Sequence, residues 1–403
     1  MKKAKVWVVS EVFYPDTDIA TANIATEIAL KFSEDFEVHV ICGPQDYERK
    51  NNQSTAPFFH RIQIHRWNYF NYDKNHRLLR LLRVVGISLG LFLKGFSIKK
   101  HDKVFVISNP AFITPLYAFL KKIKKFDYTL LMHDVFPENL IVGGYVEKNS
   151  WLYRFTHWLF IRSRRVANRI IVIGRDMKEL ILQNYPNHKK ENIIIVPNWA
   201  DTETVFPLDI DPASLFNRLT QQRKIVILFA GNHGVLQNLN AFLDIIRQLS
   251  SVNMHFVFAG GGATKKELEL CARENGLENV TFLPPFPRSE MNRILNSCHI
   301  GLVSLKDEVY GVGVPSKSYN ILAAGKPILF LGNKQSEIAQ FITENDLGWA
   351  FEYREKEAIA AFLKTLDSSR VPEIIQKGRN GRNFVEKDYN RQEILNRIKN
   401  AIL

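Results

Sequence analysis

Lys317 falls where a helix is expected to begin, within Gly313-Val-Pro-Ser-Lys-Ser-Tyr-Asn-Ile-Leu-Ala-Ala-Gly-Lys-Pro-Ile328. A cation at a helix start opposes the helix dipole, at a cost of about 0.3–1 kcal/mol. A bound anion would make both the ammonium and the free N–H groups of the first turn favourable. Val314, Pro315 and Ser316 lead into this turn, with Ser316 as its cap, and Gly325 and Pro327 end the helix before an apolar strand. A second constellation is Leu130-Leu-Met-His-Asp-Val-Phe-Pro-Glu-Asn139. A strand is expected to end on His133-Asp134, and Pro137 suits the first helical position with Glu138 beside it. A histidine at a strand's carboxyl end can donate to or accept from a substrate hydroxyl. The plain alternatives are a solvated lysine, a capped core histidine and an ordinary Pro-Glu helix start.

Two glycine-rich turns add to this. Phe229-Ala-Gly-Asn-His-Gly-Val-Leu-Gln-Asn-Leu-Asn240 follows an apolar run and precedes a helical pattern, where backbone N–H groups can bind phosphate. Gly231 and Gly234 permit close approach in it. Phe258-Ala-Gly-Gly-Gly-Ala263 ends a second apolar run. Either turn could equally be an ordinary connection. Near the N-terminus, the loop containing Tyr14, Pro15, Ile19, Ala20 and Thr21 enters a helix of small residues. Such residues admit an acceptor or phosphate to the backbone, or simply pack a helix on a sheet.

The elements that must hold these residues alternate strand with helix. Strand candidates are Lys5–Val9, Glu37–Ile41, Val104–Ile107, Tyr128–Met132, Arg169–Ile173 and Ile193–Val196. A second series is Ile225–Ala230, His255–Ala259, Val280–Leu283, Ile300–Ser304 and Ile328–Leu331. Most are continuous apolar runs, as parallel strands covered on both faces require. Each half therefore reads as a doubly wound α/β sheet. The boundary is expected near residue 205, giving domains 1–205 and 206–385 and a final helix 386–403 that crosses back to the first domain. Two such domains predict a ligand cleft between them.

The chain has 403 residues, a net charge of +13 and three cysteines without zinc-type spacing. Widely spaced cysteines suit a reducing compartment. Residues 1–200 hold 30 Lys+Arg against 18 Asp+Glu, whereas residues 201–403 hold 24 against 23. The basic excess thus belongs to the first half, as an anionic membrane or phosphorylated substrate would need. In His76–Lys100, Arg77, Arg80 and Arg83 recur among leucines, an interfacial type of helix, although a packed surface helix has the same pattern. Lys121, Lys122, Lys124, Lys125, Arg162, Arg164 and Arg165 extend the basic surface. No run approaches the ~20 apolar residues of a spanning helix, and the N-terminus reads as a first strand. No nucleic-acid motif accompanies the charge, so no nucleic-acid partner is expected.

In order, "YP", "MHDVFPEN", "VPNWAD", "FAGNHGVLQNL", "AGGG", "NVTFLPPFPRSEM" and "VPSKSYNILAAGKPIL" resemble the retaining GT-B glycosyltransferases of family 4 (group 1). The likeness is greatest to the branch that adds deoxy-amino sugars such as N-acetylfucosamine in bacterial O-antigen and capsule assembly. The resemblance implies two facing Rossmann-like domains, with the N-terminal one for the acceptor and the C-terminal one for a nucleotide-sugar donor, and neither cofactor nor metal. It implies contact of His133 with the donor sugar, oriented by Asp134 or Glu138. Gly231, Asn232, His233, Gly234 and Gln237, with Ser316 and Lys317, would meet the diphosphate. Gly261, Phe282, Pro285, Phe286, Val314, Pro315 and Asn320 would complete the donor site, and Tyr14, Pro15, Ile19, Ala20 and Thr21 the acceptor side. The chain departs from the family at four positions. Asn232 and Gln237 stand where the family has Arg and Lys, and Val312 and Asn320 replace two carboxylates. Lys317 would then be the main fixed charge, with Asp307 and Glu308 as candidate substitute carboxylates. The resemblance further implies a lipid-linked saccharide acceptor and a cytoplasmic enzyme peripheral on the inner membrane face. A catalytically inactive glycan-binding protein and a sugar-nucleotide epimerase are the alternatives.

Overall fold

The computed structural model describes residues 3–16, 19–44, 61–68, 77–185, 189–209, 215–222, 224–249 and 253–403; of residues 77–81, 215 and 220 it describes the backbone alone. His76 of the basic segment lies outside them. The chain forms two compact units, Met1–Val196 with Ile394–Leu403, and Pro197–Glu393.

Unit 1 is built on a seven-stranded parallel sheet: β1 (Lys5–Ser10), β2 (Glu37–Cys42), β3 (Ile62–Arg66), β4 (Lys103–Ile107), β5 (Asp127–Met132), β6 (Arg169–Val172) and β7 (Ile193–Ile195), in the order β3-β2-β1-β4-β5-β6-β7. Val6 pairs with Val38 and Val8 with Val40 across β1 and β2. These side chains are buried, because helices cover both faces of such a sheet. The first helix, Ala20–Ser33, buries Ala22, Ala25 and Ala29, so its small residues serve to seat it on the sheet.

Unit 2 repeats the plan with β8 (Ile225–Ala230), β9 (Met254–Ala259), β10 (Val280–Leu283), β11 (Ile300–Ser304), β12 (Ile328–Leu331) and β13 (Gly348–Phe351), in the order β10-β9-β8-β11-β12-β13. In both sheets the strand order reverses beside the first strand, at β1/β4 and β8/β11. Ligands of open α/β sheets bind outside the carboxyl strand ends at such points.

The sequence reading omits β3 and β13. Both are edge strands, and neither is a continuous buried run: only Ile62 of β3 is buried, and all of β13 is half-buried. The change of unit falls between Val196 and Pro197, earlier than the expected position near 205. The chain re-enters unit 1 at Ile394, within the helix Arg391–Asn400. Lys399 Nζ lies 2.7 Å from Asp35, Lys103 Nζ donates to the Ile402 carbonyl at 2.6 Å, and Arg169 donates to Ala401.

Glycines set the helix that carries Lys317, Lys317–Ala323, close to its neighbours. A Cβ at Gly301 of β11 would lie 2.5 Å from Ile321, and one at Gly378 of the helix Val371–Asp388 would lie 2.0 Å from the Gly325 carbonyl. The second contact is with rigid backbone. Gly378→Ala is therefore expected to lower stability by about 1–3 kcal/mol, the usual cost of overpacking. An unchanged urea midpoint would show that this seat can yield.

Candidate functional site

The turns after β8 and β9 are bonded together beyond the strand ends. The Gly231 N–H donates to Ala259 at 2.8 Å, the His233 N–H to Gly261 at 2.8 Å, and the Thr264 N–H to His233 at 3.0 Å. Such closeness needs glycine. A Cβ on Gly260 would lie 2.0 Å from the Gly231 oxygen, and one on Gly262 would lie 2.4 Å from the His233 oxygen, with φ of 139° and 149° at these glycines. Lys265 fixes the base of the turns by donating to the carbonyls of Gly260 and Leu283, each at 2.7 Å.

Lys317 opens its helix and places Nζ 3.6 Å from the centroid of the Phe229 ring and 4.0 Å from where a Cβ of Gly231 would stand. Its ammonium makes no hydrogen bond or ion pair with any described residue. The residue is half-buried, and desolvation alone pulls its pKa down to about 7. The Phe229 ring face offers the only attraction recorded for it among the described residues, a cation–π contact worth far less than lost hydration. Ser316, just before it, is exposed and caps nothing with its side chain. Val314 is buried and Pro315 half-buried, and Pro315 accepts a hydrogen bond from the Ser318 hydroxyl at 2.7 Å.

The other residues expected for the donor are divided by the structure. Asn232 is exposed on the turn. Gln237 is turned inward, its Oε1 accepting from the Gly234 N–H at 3.0 Å, so its side chain braces the turn. His233 is wholly buried, with its ring against Phe229 and Phe258 and both ring nitrogens unpaired. Burial first, then the charges of Lys265 and Lys317, lower its pKa to about 4, so it is a neutral core group. Its backbone N–H and C=O are engaged by Gly261 and Thr264, so its main chain locks the two turns together. Phe282 stacks on Phe258 at 5.2 Å, Pro285 lies against Gly261, and Pro285 and Phe286 follow β10 with Pro285 exposed. Asn320 is half-buried and donates to the Met291 sulfur at 3.3 Å, which leaves its carbonyl oxygen. Asp307 accepts from the N–H groups of Tyr353 and Arg354 at 2.9 and 3.3 Å and is engaged as a cap, whereas Glu308 is exposed.

In unit 1, His133 follows β5 and its N–H donates to the Ser108 hydroxyl at 3.1 Å, at the end of β4. Its Nε2 is buried without a partner among the described residues. Burial lowers its pKa to about 4, so the ring is neutral at pH 7. Asp134 is exposed; desolvation lifts its carboxyl to about 6, still below neutrality, so it is ionised at pH 7. Glu138 departs from expectation by pointing inward. Its Oε1 accepts from the Tyr185 hydroxyl at 2.5 Å and from Asn184 at 3.3 Å, with His157 at 3.5 Å and Arg164 3.6 Å from Oε2. Burial alone would raise its carboxyl, but the bonds from His157 and Tyr185 and the Arg164 charge outweigh it and hold the pKa low. Arg164, almost fully buried, also donates to the Phe136 carbonyl, so this network anchors the segment that presents His133. Tyr14 is half-buried, its N–H bonded to Thr26 and its carbonyl to Arg66; Pro15 is half-buried beside it. Ile19 and Ala20 are exposed and Thr21 half-buried at the start of the first helix.

Sequence reasoning passed over Phe229 and Lys265 as site residues. The Lys-Lys pair just after the triple glycine was the signal for Lys265; nothing in sequence marked Phe229, which reads as one more apolar strand residue. Among the described residues, no group of three or more His, Cys, Asp or Glu is placed to hold a metal, and no helix is long and apolar enough to cross a membrane.

Residues 22–204 match the family described as Glycosyltransferase Family 4, and residues 212–384 match Glycosyl transferases group 1. The chain is 33% identical over 265 residues to a probable glycosyltransferase, WbjE, of Pseudomonas aeruginosa, a match covering 66% of each chain. It is 29% identical over 179 residues to the putative colanic acid biosynthesis glycosyl transferase WcaI of Escherichia coli K12, covering 43% of this chain and 44% of that one. The matches thus span just under two thirds of one relative and under half of the other. Among solved structures, Anabaena HepE in complex with UDP and glucose superimposes with a TM-score of 0.71 at 13% identity over 98% of both chains. At that identity the likeness speaks for the fold, which is of the GT-B class.

Two stability predictions follow from the contrast between Glu138 and Lys317. Glu138→Ala strands a buried arginine and is expected to cost about 3–5 kcal/mol in a urea titration. That contribution is present at neutral pH and is lost only as the pH falls below the ordinary glutamate range, because the folded pKa is the lower one. Lys317→Met is expected to stabilise the unliganded protein. Because the folded pKa of Lys317 is about 7 against 10.5 unfolded, the unfolded chain binds more protons between these values, and wild-type stability should rise with pH across them more steeply than that of the methionine variant.

Proposed function

We propose a reaction for a chain that belongs, by both of its domains, to the family 4 and group 1 glycosyltransferases: it moves a hexose-type sugar from a nucleotide diphosphate to a lipid-linked saccharide, with the anomeric configuration retained. The product is a lipid-linked saccharide one sugar longer, made for a bacterial surface polysaccharide, a reading supported by the colanic acid biosynthesis in the name of WcaI; the name of WbjE supports sugar transfer. The protein works peripherally, on the inner face of the cell membrane.

The observation that carries this reading is the half-buried Lys317 ammonium, without a counter-charge among the described residues, over Phe229 and beside Gly231. As the sugar departs, negative charge grows on the leaving diphosphate. A lysine amine held in place over Phe229, and protonated as that charge develops, stabilises it without reorganising. The exposed Asn232 of the turn, and the first turn of the Lys317 helix, offer N–H groups to the same oxygens. Asn320 keeps a carbonyl for a ribose hydroxyl, and the Gly261–Pro285 contact and Phe286 border the base. In unit 1 the neutral His133 has an unpaired Nε2 for a sugar hydroxyl, with Asp134 ionised next to it. The leaving phosphate accepts the acceptor's proton on the same face, so no protein nucleophile is required. Tyr14, Pro15, the exposed Ile19 and Ala20 and the half-buried Thr21 at the start of the first helix meet the acceptor.

The engaged side chain of Gln237 and the absence of a cation at Asn232 favour one second reading, a binding protein without turnover. Slow hydrolysis of a UDP-sugar supports the enzyme; stabilisation by the donor without any turnover supports the binder. Lys317→Ala is expected to lower kcat by about 10²–10³, as for loss of one oxyanion donor, with the fold intact. Donor binding should also move a proton. At pH 8 the free Lys317 is mostly neutral, and a diphosphate beside it restores its charge, so UDP binding takes up roughly one proton. Calorimetry in buffers of different ionisation heat reads this directly; Lys317→Arg should abolish the uptake, and an equal uptake in both proteins removes Lys317 from the site.

A further inference from the structure

Three helices of unit 1, Arg77–Lys94, Ile113–Lys124 and Trp151–Arg164, lie side by side. The Tyr117 hydroxyl bonds the Leu91 carbonyl at 3.0 Å, and Phe112 meets Phe160 at 6.3 Å. Their outward faces are not polar. Leu89 and Leu93 are exposed on the first helix and Phe119 and Ile123 on the second, and Phe92 and Phe119 bridge the two at 6.3 Å. On the third, Trp151, Phe155 and Trp158 recur at helical spacing, with Trp151 77% exposed. The Arg162 guanidinium itself lies over the Trp158 ring, 4.5 Å from its centroid. Contiguous exposed apolar groups of this kind mark interaction surfaces.

The charge around them has one sign. Segments 77–101, 111–126 and 150–166 carry fourteen lysines and arginines and no aspartate or glutamate, and of these Arg164 is spent inside, on Glu138. Lys99, Lys100, Lys122, Lys125, Arg154 and Arg165 are exposed among or beside the apolar residues. A second copy of the chain meeting this surface about a two-fold axis would set cation against cation. Nucleic acid would satisfy the charge but leave the leucines and isoleucine unburied. An anionic bilayer satisfies both, with apolar side chains in the headgroup boundary and cations at the lipid phosphates.

We propose that this three-helix surface docks the protein on anionic lipid, with Trp151, Phe155 and Trp158 entering the interface and the surrounding lysines and arginines holding phosphate. The proposal deepens the membrane placement of the preceding reading, and its test is independent of the donor site. Full-length protein is floated with vesicles of phosphatidylcholine alone or mixed with phosphatidylglycerol. Binding is expected only with the anionic lipid, weakened by salt, and accompanied by a blue shift of tryptophan emission. Lys122→Glu/Lys125→Glu and Trp151→Ala/Trp158→Ala should each reduce binding by about tenfold or more, while thermal stabilisation by UDP stays as in wild type. Equal binding to both vesicle types, or no loss in either variant, overturns the proposal. So does a concentration-dependent dimer that the tryptophan variant dissolves, since the occupant is then a second copy. Loss of UDP stabilisation in the wild type would instead count against the reaction proposed above and leave the lipid result standing.

Discussion

An ammonium that has lost part of its water and gained no counter-charge is costly, and the second unit is arranged around one. Lys317 stands at the wrong end of a helix for its charge, over an aromatic ring, with its pKa brought down to about 7. Three glycines bring that helix and the adjacent turns to their closest approach. Gly301 and Gly378 let the helix sit close, and Gly260 lets the Gly231 turn press against its neighbour. A fold that tolerates such a group in its resting state has placed unfavourable free energy where an anion would relieve it.

What the sequence disclosed followed the physics of burial. Central strands are covered on both faces and are written as unbroken apolar runs, so β1, β8 and β12 were legible almost to the residue. β3 was hidden by its alternation of apolar and polar residues, Ile-Gln-Ile-His-Arg, and β13 by its brevity, four residues that open on a glycine. The change of unit at Val196 lies within a continuous stretch of chain with no composition shift to mark it.

The turns were found for the same reason that glycine is rare elsewhere, but the direction of their side chains was not. His233 and Gln237 occupy a turn that looks made for a ligand, yet one fills the core between phenylalanines and the other bonds its own turn. Glu138 likewise sits in a stretch with a functional look, and its role depends on Arg164, His157 and Tyr185, which are distant in sequence. Side-chain direction is set by partners that only the fold brings near. His133 was legible because a strand's end can be counted, and a side chain's turn away from it cannot.

The last ten residues, Ile394–Leu403, complete the first unit rather than the second, and Lys103, Arg169 and Asp35 hold them there. Unit 2 is contiguous and has all its residues before that segment is made. All seven strands of unit 1 are therefore made before unit 2, yet its closing segment is made last, so the docking of that segment is the one step of unit 1 that has to wait for the whole of unit 2 to be synthesised.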